Sequence, residues 1–170
     1  GDPTSTVGAL GPLDNNTAVT LDGSGDYVKM PYGGLGNLLD FSLEAWIQPA
    51  TVAMGTDATV MELQLVTLAS ILRVSQSGAN LRLEALLASE TSTATLSTGD
   101  YTHVVVSVTG AAVSTVALYV NGEFDSSLLL AGQLELTGGQ LLVGATERTA
   151  LLGGNTAFFQ GDVDEVAFYS

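Results

Sequence analysis

The sequence predicts an all-β domain, a two-sheet antiparallel β-sandwich of jelly-roll type. Apolar and polar residues alternate with period two along most of the chain, as half-buried antiparallel strands require. Turn residues separate the alternating runs. All four prolines lie at or before Pro49, so nothing beyond that point removes a ladder donor from a strand.

Residues 1–17, rich in Gly, Pro, Asp and Asn, read as an extended lead-in, and residues 18–170 as the domain. In "FSLEAWIQP" (41–49), Phe41, Leu43, Ala45 and Ile47 share one face, while Ser42, Glu44, Trp46 and Gln48 share the other. "TVMELQLVTLASILRV" (59–74) partly fits a helical period. Its β-branched content and its lack of a cap favour two strands. "NLRLEALL" sets Leu81, Leu83 and Ala85 against Arg82 and Glu84, after a turn near Gly78-Ala79-Asn80. In "YTHVVVSVTG", Val104, Val106 and Val108 share a face and Val105 makes the other face apolar too, so this strand is expected to be central and covered on both sides. "STVALYVNGEFDSSLLL" turns at Asn121-Gly122, a pair that tolerates positive φ at both hairpin positions. About a dozen strands result, too many for one open sheet and suited to two packed face to face.

Composition narrows the function. Acidic residues outnumber basic ones 18 to 4, for a net charge of −14, and the basic side chains are Lys29, Arg73, Arg82 and Arg148. No phosphate-neutralising cluster can be assembled from them, which argues against nucleic acid and against an anionic bilayer surface. Neutral glycans, divalent cations and protein surfaces remain as partners. The absence of cysteine excludes disulfides, thiolate catalysis and cysteine-ligated zinc. No apolar run reaches the length of a membrane span. The opening "GDPTSTVGALGPL" lacks Met and an apolar signal segment, as expected of a processed product or an excised domain. Asn15-Asn16-Thr17 fits a glycosylation sequon.

Four stretches in order go beyond a generic sandwich: "AVTLDGSGDYVKMP" (18–31), "FSLEAWIQP", "YTHVVVSVTG…ALYVNGE" and the closing "FFQGDVDEVAFYS" (158–170). Together they resemble the laminin-G-like modules of the concanavalin A-type lectin and glucanase superfamily, over roughly residues 18–170. Tyr101 stands where the family has Trp before Thr-His, and the family's usual first strand is not evident upstream of Ala18 unless "STVGAL" partly replaces it. The resemblance implies a noncatalytic recognition or adhesion module, glycan- or protein-binding, within a larger extracellular or virion-surface protein. The alternative it leaves is a purely structural or decoration domain of a capsid, tail fibre or surface assembly.

Val163, Val166 and Phe168 cannot share one face under strict alternation, so a bulge is expected near Asp164-Glu165. The resemblance places Asp164 at the start of the last strand, near the Asp-Gly turn at Asp22. With Asp26 and Asp162 nearby in sequence, these oxygens are the candidate ligands of a structural calcium ion, which takes six to eight. The competing reading is that Asp164 binds backbone amides and Asp22 starts a turn. Jelly-roll glucanases alternate an acid triplet along one strand. "DVDEV" has the wrong spacing and "MELQL" a single acid, so the chain reads as not an enzyme. Trp46, on the polar side of its strand, is a candidate for stacking on a sugar ring. Glu147, Arg148 and Asn155 sit in a glycine-containing loop at 144–158, where recognition usually resides on a rigid scaffold. The sole histidine, His103, is expected to be a semi-buried hydrogen-bonding residue.

Overall fold

The computed structural model describes residues 6–10 (backbone only), 17–32, 38–53, 57–110, 112–134, 136, 138–147 and 156–170. Among the described residues there is no helix and there are thirteen strands. They are β1 (Thr6–Leu10), β2 (Thr17–Asp22), β3 (Val28–Tyr32), β4 (Phe41–Pro49), β5 (Ala58–Leu65), β6 (Ser70–Ser77) and β7 (Asn80–Ala85), followed by β8 (Ala88–Thr95), β9 (Thr102–Thr109), β10 (Val113–Val120), β11 (Glu123–Ala131), β12 (Gly139–Val143) and β13 (Gln160–Tyr169). A seven-stranded sheet in the order β1-β2-β13-β4-β9-β10-β11 packs on a six-stranded one in the order β3-β12-β5-β6-β7-β8, with every ladder antiparallel.

The expected alternation holds where it was clearest. In β4 buried and half-buried residues alternate without a break, and Leu43, Ala45 and Ile47 meet Leu63, Leu83, Val104, Val106 and Phe159 in one core. The stretch 59–74 is two strands, β5 and β6, joined by a hairpin. Part of the expected lead-in, Thr6–Leu10, pairs with β2 as an edge strand. β9 is central, between β4 and β10, but it is not covered on both sides: Val105, on its outer face, is only half-buried. Its cross-strand partners are Glu44 on β4 and Tyr119 on β10.

Asn121 and Gly122 have φ of 52° and 83°, and Asn121 also accepts the His103 amide at 2.9 Å. A Cβ on Gly122 would meet nothing, so the demand there is conformational alone. Gly122→Val should therefore cost about 1 kcal/mol or more, read as a lowered denaturant midpoint. An unchanged midpoint would mean that the turn tolerates a β-branched residue in the left-handed region.

Two further features of the sandwich matter later. The expected bulge in β13 is present: register shifts between Asp164 and Ala167, and Glu165 has φ of 48°. At the opposite side, Asp125 of β11 accepts the Thr93 amide (3.0 Å), the Thr93 hydroxyl (3.0 Å) and the Ala94 amide (2.8 Å). It thereby joins the edge strand of one sheet to the edge strand of the other.

Candidate functional site

The outer face of the six-stranded sheet is unusually polar. Because the strands pair in register, one row across it reads Lys29, Leu142, Glu62, Arg73, Glu84, Ser89. The described cations in this region are matched. Lys29 donates to Glu147 at 2.7 Å, Arg73 pairs with Glu84 through both Nε (2.6 Å) and a terminal nitrogen, and Arg82 reaches Asp57 at 3.2 Å. The bond from Lys29, aided by one from Gln140, holds the Glu147 carboxyl below its ordinary range against the opposing effect of burial. Gln140 also donates to Gln64 at 3.1 Å, and Gln64 donates to the Glu147 carbonyl at 3.2 Å. Thr59 and Thr146 share a hydroxyl hydrogen bond of 2.8 Å.

Glu62 stands outside this pairing. Its residue is 1% exposed, and neither carboxylate oxygen has a hydrogen-bond partner. It lies in the wall of an open cavity of about 380 Å³, with Gln64, Arg73, Glu84, Thr146 and Glu147 as polar neighbours and Leu68 and Leu86 at the hairpin ends. Buried carboxylates left without a partner are costly, so an orphan one beside a cavity makes this the candidate site.

The residues singled out from the sequence divide among three places. Glu147 lines this cavity. Arg148 and Asn155, like the sequon residues Asn15 and Asn16, lie outside the described residues. Trp46 faces outward on the other sheet, where it is half-buried and stacks on His103 across the β4–β9 ladder at 4.6 Å between ring centroids. His103 in turn lies 3.5 Å from Glu44, whose other oxygen accepts the Tyr169 hydroxyl at 2.6 Å. One face of the indole is thus already used.

The four candidate calcium ligands each have their own contacts, and two of them, Asp22 and Asp162, line one open pocket. Asp22 accepts the Ser24 amide (2.7 Å) and hydroxyl (2.8 Å), which lower its pKa. Asp162 accepts the Thr20 hydroxyl at 2.6 Å, Asp26 is buried in the loop after β2, and Asp164 accepts the Glu165 amide at 2.8 Å inside the bulge. Asp162 and Asp164 together act on Tyr101: burial first, then their charges, raise its hydroxyl pKa. Among the described residues no three acidic or histidine side chains gather where they could hold a metal. The melting temperature is accordingly expected to be the same in millimolar calcium and in chelator. A rise in calcium that Asp164→Ala removes would put a metal at the bulge.

Glu62, Gln64, Arg73 and Glu84 were not legible as a site in the sequence. Glu62 was visible only as the single acid of "MELQL", and its neighbours come from other strands.

The family model for the concanavalin A-like lectin/glucanases superfamily matches residues 22–170. The chain belongs to that superfamily. A search of curated proteins finds no match. Among solved structures, this superfamily member is similar to an endo-β-1,4-glucuronan lyase from the fungus Trichoderma reesei (TM-score 0.71, 12% identity, covering 100% of this chain and 88% of the lyase). It is also similar to a heptameric SAP-like pentraxin from Limulus polyphemus (TM-score 0.65, 13% identity, 89% and 74%). A third likeness is to the LG4-5 domains of mouse laminin α1 (TM-score 0.62, 14% identity, 89% and 40%). Identities this low speak for the fold alone, and the superfamily fold serves binding modules and enzymes alike.

Proposed function

We propose that this chain is a noncatalytic recognition module, of an extracellular or particle-surface protein, whose ligand seats on the outer face of the six-stranded sheet. The observation that carries the reading is the orphan carboxylate of Glu62 beside an open polar cavity whose other charges are paired. Laminin domains and a pentraxin among the structural neighbours are in keeping with it.

The same geometry argues against hydrolysis. Glu62 and Glu84 are two strands apart, about 10 Å between backbones at the usual strand spacing. Arg73 stands between them and holds Glu84. A glycosidase needs its two carboxyl groups facing across the space that the sugar occupies, and here a guanidinium stands between them. Among the described residues the cavity lining also holds no tyrosine or histidine to serve as the base of a lyase.

The test is a panel of immobilised neutral oligosaccharides and extracellular-matrix proteins, followed by amide chemical-shift mapping with each binder and by assay of β-glucans and glucuronan for cleavage. Shifts centred on Glu62, Gln64, Arg73 and Glu84 are expected, with no cleavage. Shifts centred on Trp46 and His103 would move the site to the other sheet, and turnover of either polysaccharide would make the chain an enzyme.

A further inference from the structure

The chemistry of the cavity narrows the ligand. Among the described residues its lining holds three carboxylates, from Glu62, Glu84 and Glu147, against one cation, Arg73. Lys29 offsets Glu147 from the neighbouring strand, which leaves Glu62 as the uncompensated charge among the described residues, in a chain whose net charge is already −14. A uronate or other anionic sugar would meet repulsion there. Among the described residues no aromatic side chain lines the cavity to offer the flat stacking platform that a pyranose ring favours.

Its apolar part is aliphatic. Leu68 and Leu86 line the cavity, and both are held at positive φ, 63° and 53°, a conformation that leucine rarely adopts. Beside them Val66 is 80% exposed and Leu87 fully exposed. The β5–β6 and β7–β8 hairpin ends are tied together by the Leu86 amide donating to the Ile71 carbonyl at 3.1 Å. Large aliphatic side chains standing bare at adjacent tips mark a surface that meets something apolar.

A carboxylate without a partner, next to a short aliphatic wall, matches a long cationic side chain. The methylene stem of lysine or arginine packs along leucine while its charged head reaches a carboxylate. We propose that the cavity receives a lysine or arginine side chain projecting from an apolar segment of a partner protein. The flanking apolar residues of that segment rest on Val66 and Leu87. The inference rests on the recognition reading above and names the partner for that same site. Glu62 supplies the charge complement, and the leucine tips supply the contact area that a lone ion pair lacks.

Two tripeptide probes test it against the labelled domain: acetyl-Leu-Lys-Leu-amide, and a twin with norleucine in place of lysine. A set of neutral oligosaccharides is titrated alongside. The lysine peptide should shift the amides of residues 61–64, 72–74 and 83–87, bind at least tenfold tighter than its twin, and weaken as salt is raised. Glu62→Gln, which keeps shape and removes charge, should abolish that preference. Leu87→Ser, at a fully exposed position, should weaken both peptides several-fold. Equal binding of the twins, or no peptide binding while an oligosaccharide shifts the same amides, overturns the basic-segment proposal and leaves the recognition site standing. If no probe of either kind moves those resonances, the basic-segment proposal falls and the recognition reading loses its site.

Discussion

Glu62→Leu is expected to stabilise the unliganded domain by about 1–3 kcal/mol, although it alters a residue that is almost wholly buried. Most substitutions at such positions destabilise, because they remove packing or leave a partner stranded. Here the native residue is the stranded group: neither oxygen is hydrogen-bonded, and Arg73 is already engaged by Glu84. Leucine has similar volume, lies beside Leu142 in the same row, and asks for no hydrogen bond. Replacing a poorly compensated buried charge by an apolar residue of similar size is neutral or stabilising by amounts of this order. For a chain of this length the melting temperature should rise by about 2–4 °C for each kcal/mol gained. A fall in stability would show that Glu62 does structural work in the folded state, and the argument for a reserved ligand site would go with it.

The largest loss is expected at Gly161, in the stretch that closes the chain. Its φ is 147°, and a Cβ there would overlap the Gln48 carbonyl oxygen and lie 2.8 Å from the Pro49 Cα. Gly161 pairs with Leu21 on one side and Pro49 on the other, inside the seven-stranded sheet. Neither neighbour can withdraw without breaking a ladder. Gly161→Ala therefore combines an unfavourable backbone conformation with a clash against main chain, and should cost about 3 kcal/mol or more, read from urea unfolding. A cost under 1 kcal/mol would mean that β13 slides past β4 more freely than this register allows.

The strands were legible because a period of two is a local property: each half-buried strand carries its own record of which side faces the core, as β4 and β7 do. The β13 bulge was legible for the same reason, since Val163, Val166 and Phe168 break step within a few residues. The candidate site was not. Glu62, Arg73 and Glu84 come together only once β5, β6 and β7 are in register, and a single sequence does not state that register. Trp46 shows the same limit from the other side. Its outward position was readable, but its stacking on His103 depends on which residue of β9 lies opposite. Cross-strand chemistry becomes visible only with the ladder.

The Asp125 bridge also bears on where such a protein can work. Burial pushes the Asp125 carboxyl up, but the amides of Ala94 and Thr93 and the Thr93 hydroxyl outweigh it and hold the pKa below its ordinary 3.8. A carboxyl lowered in the folded state contributes its stability in full above the unfolded value, and loses it only as pH falls through the lowered one. Mild acidification to about pH 5, still above the ordinary aspartate range, leaves this fastening between the sheet edges closed. Among the acids described, the one that bolts the two layers together is thus set to let go only in strongly acidic surroundings, so a module carried into a moderately acidic niche would keep that seam shut.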